Sequence, residues 1–257
     1  MLFKIVILTS FIFSVLYPLC FWISYKDPLK NKFHRFHIGL PNFIAGITVI
    51  VLLFSPIPVH LKILVVIWKV SLLSISSYSW QKIYPNPYLI TIPSVIGGYV
   101  FLKLQEFFIG QGFNYAFVAI LAGLILASAL FAMNLGHWYL NVHGLPLSHL
   151  RRATYVFWAL LAFRALYDLI ILVTGKVFYL GEYLSLFSFC AKLDGIFLLI
   201  ALFFGTLFPL ISLFFAKGTL DLKNTQATTG ILYVVLCSVV LGDIAYKYYL
   251  IKFGIAL

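Results

Sequence analysis

The chain has 257 residues, of which 63% are hydrophobic and only 10% are charged. A soluble protein of this length could not remove so much apolar surface from water, so the composition excludes a soluble globular domain. The formal net charge is +11. Most lysines and arginines lie at the ends of apolar segments, where such residues anchor to lipid headgroups, and this placement argues against nucleic-acid binding.

The apolar segments are long enough to cross a bilayer as α-helices, which takes ~20 residues each. They do not alternate apolar and polar residues, as the strands of a membrane β-barrel would. We therefore predict an all-α, polytopic integral membrane protein, with a bundle of about eight transmembrane helices in a single domain over residues 1–257. Seven or nine spans stay open. The predicted helices cover residues 3–24, 38–57, 60–81, 88–109, 113–136, 150–174, 190–216 and 227–250.

The segments between these helices give further expectations. Residues 26–37 form a basic loop, residues 137–149 read as a polar linker, and residues 175–189 are amphipathic and aromatic, as a short interfacial segment would be. Lysine and arginine are more frequent in the odd-numbered loops of this chain. In membrane proteins in general, short loops with such an excess face the cytoplasm. The bias predicts a multi-pass protein of the cell membrane with both termini outside.

Four ionisable residues fall near the middle of predicted helices: Lys69, Arg164, Asp168 and Asp243. Arg164 and Asp168 are four residues apart, so they share one face of their helix. Counting a rise of ~1.5 Å per residue places all four at similar depth. Two cations and two anions make a formally neutral set. We therefore expect them to meet as a buried charge cluster.

Two interpretations of this cluster stay open. Ion pairs could simply hold the helices together. Intramembrane ionisable residues also line proton or ion relays and bind polar parts of substrates. A third reading is that some of these groups, Lys69 first, extend to the membrane surface instead.

A second candidate site is a histidine-rich rim on the predicted cytoplasmic side. Neutral imidazole can ligate haem iron or another metal and can contact a quinone, which makes His37, His137, His143 and Tyr139 candidate residues. Their spacing matches no metal-ligand motif, so no metal site is assigned. Histidines within a membrane-interface aromatic belt are the alternative. The candidate cofactors are haem b and a quinone.

The last predicted helix contains the run Val240-Leu-Gly-Asp-Ile-Ala-Tyr-Lys-Tyr-Tyr-Leu250. Together with the count of eight helices, this run resembles the NrfD-type membrane subunits of quinone-linked oxidoreductases. The resemblance covers the helix count and one helix end, and it assigns no role to an individual residue.

Three functions follow from these observations. The first is a membrane subunit that transfers protons or electrons in a quinone- or haem-linked redox complex. The second is a proton- or ion-coupled transporter of a small molecule, and the third is a lipid-acting membrane enzyme or an assembly factor. The expected partners are the lipid bilayer and other membrane or redox subunits. Whether the chain is itself an enzyme stays open.

Overall fold

A computed structural model describes residues 1–24, 33–82, 85–142 and 145–257. Within these ranges, eight helices are long and apolar enough to cross a membrane. The predicted all-α class and the count of eight spans are therefore confirmed, and the protein is a multi-pass membrane protein. The cell membrane as its location and the placement of the termini stay predictions.

The chain forms two compact units. The N-terminal unit contains residues 2–112, and the C-terminal unit contains residues 113–257 together with Met1. The single domain over residues 1–257 stays a prediction.

The N-terminal unit consists of four helices joined by short connections. Helix α1 packs against α2 and α4, and α3 packs against α2 and α4. A 3₁₀ segment, Tyr17–Ser24, continues α1 to the end of the first span. The helices are α1 (Leu2–Leu16), α2 (Phe33–Phe54), α3 (Val59–Trp80) and α4 (Pro87–Phe108).

The core of the N-terminal unit is built around one tryptophan. Trp68 of α3 is fully buried, and its ring centroid lies 4.2 Å from that of Phe11 in α1. On α4, a Cβ atom at Gly97 would collide with the Trp68 indole and with Val15. Glycine at this position therefore lets α4 approach both neighbouring helices.

The C-terminal unit contains the other four spans and a small β-hairpin. Helix α10 packs against α5 and α9, and α5 also packs against α6. Strands β1 and β2 pair antiparallel. The elements are α5 (Phe113–Asn141), α6 (Ser148–Thr174), β1 (Lys176–Tyr179), β2 (Glu182–Ser185), α7 (Leu186–Cys190), α8 (Leu193–Leu202), α9 (Phe208–Asp221) and α10 (Thr225–Phe253).

Three connecting segments differ from the sequence-based expectation. The basic loop was predicted to extend to residue 37, but α2 already begins at Phe33. The linker was predicted to start at His137, but α5 continues to Asn141, because no glycine or proline interrupts it there. The segment after α6 forms the β-hairpin. Its strands are joined through Leu180 and Gly181, both with positive φ, a turn conformation that glycine adopts without steric cost.

The seventh span, Leu193–Asp221, is interrupted in its middle by a π-helical turn, Phe203–Leu207. Gly205 in this turn and Gly242 of α10 are in close contact: a Cβ atom at Gly242 would strike the Gly205 backbone, and one at Gly205 would strike the Tyr246 ring. The Ser238 hydroxyl donates a 2.5 Å hydrogen bond to the Phe204 carbonyl. Turns of this type often occur at functional sites.

This contact predicts the effect of a pair of matched variants in α10. Gly242→Ala inserts a methyl group against the Gly205 backbone, and overpacking of this kind costs about 1 to 3 kcal/mol. Nothing lies within 4 Å of a Cβ atom at Gly230, so Gly230→Ala adds only helix propensity. Thermal unfolding in detergent should show a lower Tm for Gly242→Ala alone. Equal Tm values for the two variants would contradict the close approach.

Candidate functional site

Arg164 and Asp168 form a buried ion pair on α6. The Arg164 Nε donates to Asp168 Oδ1 at 2.7 Å, and the two residues are only 1% and 3% exposed. Their spacing of four residues places them on one helix face, as the sequence predicted.

The second oxygen of Asp168 lies against two hydroxyls from other spans. Thr206 Oγ1 lies 2.8 Å and the Tyr246 hydroxyl 2.9 Å from Asp168 Oδ2. The two hydroxyl oxygens are 2.7 Å from each other. Asp168, Thr206 and Tyr246 thus form a closed triangle, the hydroxyl triangle, which links α6, the π-helical turn and α10.

The Arg164 guanidinium also lies over the Tyr246 ring, with Cζ 4.2 Å from the ring centroid, so the ring stabilises the cation. Its Nη2 has no hydrogen-bond partner among the described residues. Arg164, Tyr246 and Asp243 line a cavity of about 10 Å³, which is close to the space that one water molecule needs.

A second buried ion pair lies on α10. Lys247 Nζ donates to Asp243 Oδ1, and both residues are about 95% buried, with 4% and 5% exposure. Asp243 was predicted from the sequence, whereas Lys247 was not placed in the charge cluster although the predicted helix 227–250 contains it. The spacing of four residues from Asp243 was the signal that could have placed it on the same face.

These residues lie toward one end of the C-terminal unit. The end of α10 meets the start of α8 there, since the Tyr249 hydroxyl donates to the Asp194 carbonyl. The last part of α6 reaches the same end, since the Tyr167 hydroxyl donates to the Ala256 carbonyl at 3.2 Å. With a rise of ~1.5 Å per residue, Arg164 and Asp243 lie ~15 Å from the ends of their helices, and Asp168 and Lys247 ~9 Å. The charge network therefore extends from the middle of the spans toward that end.

The end itself carries partly exposed charges. Asp194 accepts a 3.1 Å hydrogen bond from the Tyr179 hydroxyl and pairs with Lys252 at 3.5 Å. This hydrogen bond raises the pKa of the Tyr179 phenol above its usual value, because it stabilises the neutral form. Ionisable groups in contact with water thus lie at the end toward which the charge network extends.

Lys69 has different neighbours. It belongs to the N-terminal unit, and its Nζ donates to the carbonyl oxygen of Asn42 at 2.8 Å and to the Asn42 side-chain oxygen at 3.0 Å. We therefore treat Lys69 separately from Arg164, Asp168 and Asp243, which share the C-terminal unit.

The candidate rim residues are distributed over both units. His37 Nδ1 lies 2.6 Å from the Tyr17 hydroxyl, and its ring lies 4.0 Å from that of Phe33. His137 Nδ1 lies 3.2 Å from the Tyr233 hydroxyl in the C-terminal unit.

Tyr139 and His143, the other two candidate rim residues, give no further support for a cofactor site. The Tyr139 hydroxyl donates to the Pro146 carbonyl. His143 lies outside the described residues. Within the part of the chain that the structure describes, no three His, Cys, Asp or Glu side chains come together as a metal site.

Comparisons with known proteins returned no match of this chain to a protein-family model, a curated protein or a solved structure.

The ion pair on α6 predicts the stability of Asp168 variants. Asp168→Asn leaves the Arg164 cation buried without its counter-ion, and breaking a buried pair in this way costs about 3 to 5 kcal/mol. Replacing both partners, as Arg164→Met with Asp168→Leu, should recover most of that loss. Chemical or thermal unfolding in detergent measures both effects.

Asp221→Asn is the matched control. It breaks an ion pair with Arg151 whose side chains are 55% and 45% exposed, and exposed pairs contribute about 0 to 1 kcal/mol. If Asp168→Asn lowered stability no more than this control, Asp168 would not be needed to stabilise the buried Arg164 cation.

Proposed function

We propose that this chain is a membrane subunit that transfers protons within the bilayer as part of a quinone-linked redox complex. The observation that carries the proposal is the hydroxyl triangle of Asp168, Thr206 and Tyr246, which is buried between three spans. The proton-transfer part of the proposal is argued from residues of the C-terminal unit. The quinone part is argued separately, from residues of the N-terminal unit.

The protons of the hydroxyl triangle cannot satisfy all its contacts at once. Three oxygen–oxygen contacts of 2.7 to 2.9 Å connect the three groups, but the two hydroxyls supply only one proton each. With an ionised Asp168, one contact always lacks a proton, and the protons have several arrangements of similar geometry. An additional proton on Asp168 completes the ring of hydrogen bonds. The triangle can therefore take up a proton without moving a heavy atom. Because that proton removes the counter-charge of the buried Arg164, Asp168 holds it only in transit.

The second ion pair extends this route. The cavity of about 10 Å³ lies between Tyr246, Arg164 and Asp243, and one water there would join the triangle to the Asp243–Lys247 pair. Lys247 lies toward the end of the unit where Asp194 and Lys252 are partly exposed. Together these groups support a proton path between the middle of the spans and one membrane surface.

Helix pairing alone does not require this arrangement. Each buried ion pair joins two residues of one helix, Arg164 with Asp168 on α6 and Asp243 with Lys247 on α10, so neither pair holds two helices together. The π-helical turn, which brings Thr206 to Asp168, is a further departure from regular packing at the same place. Both features favour a function in proton transfer.

His37 supports the quinone part of the proposal. Reducing a quinone to a quinol requires protons as well as electrons, and a redox partner subunit would supply the electrons. The Tyr17 phenol and the His37 imidazole share a 2.6 Å hydrogen bond and can exchange a proton. The rings of Phe21, Phe33 and Phe36 pack against His37, which is only 2% exposed. The pair is therefore a buried proton donor in aromatic surroundings, and a quinone head would lie beyond these rings.

The same charge network could serve a proton-coupled transporter. A transported solute needs a cavity at the depth of the charges. The cavity beside Arg164 and Asp243 has about 10 Å³, which suits one water molecule and no larger solute. Proton transfer without solute transport is therefore the better supported of the two functions.

A flux assay tests the proton function. The purified chain is reconstituted in liposomes that contain a pH-sensitive dye, and valinomycin with a potassium gradient imposes a membrane potential. Proton uptake should exceed that of protein-free liposomes. Tyr246→Phe and Thr206→Val each remove one hydroxyl of the triangle and should slow uptake by about 100-fold, the low end of what a positioned proton-transfer group contributes.

Thr154→Val is the control for these variants. The Thr154 hydroxyl is buried on α6 but donates to the Leu150 carbonyl of its own helix, outside the triangle. Its uptake should equal that of the wild type. Uptake no faster than in empty liposomes, or unchanged by both triangle variants, would refute the proposed function.

The visible spectrum separates the quinone form of the proposal from the haem form. The dithionite-reduced minus oxidised spectrum of the protein purified in mild detergent should be flat. A sharp b-type α-band would contradict the quinone form and would make the histidines haem-ligand candidates.

A further inference from the structure

A large open groove lies at one end of the N-terminal unit. Its volume is about 760 Å³, within the range of ~300 to 1,000 Å³ that is usual for ligand sites. Helix α1 begins there, and α2 and α4 end there, with Phe3, Phe54 and Phe108 among the lining residues. Because the groove lies where membrane-spanning helices end, it lies at the level of the lipid headgroups.

The walls of this groove are apolar and accessible. Ile50 is 58% exposed, Phe54 is 89% exposed and Phe107 is 46% exposed. Such surfaces suit a hydrocarbon chain, and a volume of 760 Å³ accommodates one.

Two lysines supply positive charge, one within and one beside the groove. Lys4 lines it and donates a 2.7 Å hydrogen bond to the Phe108 carbonyl at the end of α4. Lys62 donates a 2.7 Å hydrogen bond to the Leu53 carbonyl, next to Phe54. An ammonium group has three protons, so each lysine has donors left for oxygens of a ligand.

Lys4 of α1 and Lys62 of α3 differ in their charge partners from Lys103, which lies in the last part of α4. Lys103 is paired with Glu106 at 3.0 Å, so its charge is neutralised within the unit. Lys4 and Lys62 form no ion pair with a carboxylate among the described residues. The groove therefore combines apolar walls with uncompensated positive charge at headgroup depth.

We propose that this groove is a binding site for an anionic phospholipid. One acyl chain lies against Phe3, Ile50 and Phe54, and the phosphate accepts hydrogen bonds from Lys4 with Lys62 as a second positive charge. Net negative charge on the headgroup distinguishes this ligand from zwitterionic lipids. The site belongs to the N-terminal unit and does not depend on the proposed proton function.

Native mass spectrometry of the full chain tests this site. The protein is exchanged into detergent with equal amounts of phosphatidylglycerol and phosphatidylethanolamine of the same acyl chains. The wild type should retain phosphatidylglycerol preferentially. Lys4→Gln keeps a donor for the Phe108 carbonyl but removes the charge, and it should reduce phosphatidylglycerol retention about fivefold.

Two further variants make the result specific. Lys103→Gln removes the same charge from the same end of the unit, but Lys103 does not line the groove, so retention should stay unchanged. Ile50→Trp fills the groove and should reduce retention of the acyl chain with Lys4 still in place. A Tm close to that of the wild type verifies that each variant is folded.

Several outcomes would overturn the proposal. They are equal retention of both lipids by the wild type, an equal loss for Lys4→Gln and Lys103→Gln, and retention of a quinone or a polypeptide in place of the lipid.

Discussion

The C-terminal unit depends on how it accommodates one cation, the fully buried Arg164 guanidinium. A charged side chain at the centre of a membrane helix costs about 3 kcal/mol or more. Asp168 supplies the counter-charge from the same helix, and the Tyr246 ring covers the cation. Asp168 in turn has a second oxygen that needs hydrogen-bond donors, and the Thr206 and Tyr246 hydroxyls lie against it.

The remaining oxygen of Asp168 accounts for the unusual geometry of the seventh span. Thr206 reaches that oxygen from the π-helical turn, and the close contact of Gly205 with Gly242 brings Tyr246 of α10 to the same point. The cost of burying Arg164 is thus offset by contacts from three spans. The same contacts create a group of hydroxyls and a carboxylate whose protons have several equivalent positions.

Much of the fold could be predicted because hydrophobic length alone identifies membrane-spanning helices. The Arg164–Asp168 pair could also be predicted, since partners four residues apart on one helix need no tertiary information. Thr206 was not predicted, because an ordinary threonine in an apolar run gives no signal, and the π-helical turn that positions it has none either. Lys247 was missed because it lies near the end of the predicted helix 227–250, where a lysine is expected to reach the headgroups and not to pair within the bundle.

Lys69 shows the limit of an argument from depth alone. Its predicted depth matched that of Arg164 and Asp243, but depth does not tell which helices are neighbours. Its ammonium is satisfied by Asn42, one helix away in the N-terminal unit. Neutral carbonyl and amide oxygens are thus the hydrogen-bond partners of Lys69, and counting charges does not reveal them.

The central claim is that Asp168 takes up and releases a proton within its triangle. Infrared difference spectroscopy of the reconstituted protein, recorded as the pH is lowered, observes this carboxyl group directly. We expect a protonated-carboxyl band that shifts in Asp168→Glu and stays in place in Asp243→Asn. If Asp168 remains ionised over the whole range in which the protein is folded, the Arg164–Asp168 pair is a static ion pair within α6 and the account is contradicted.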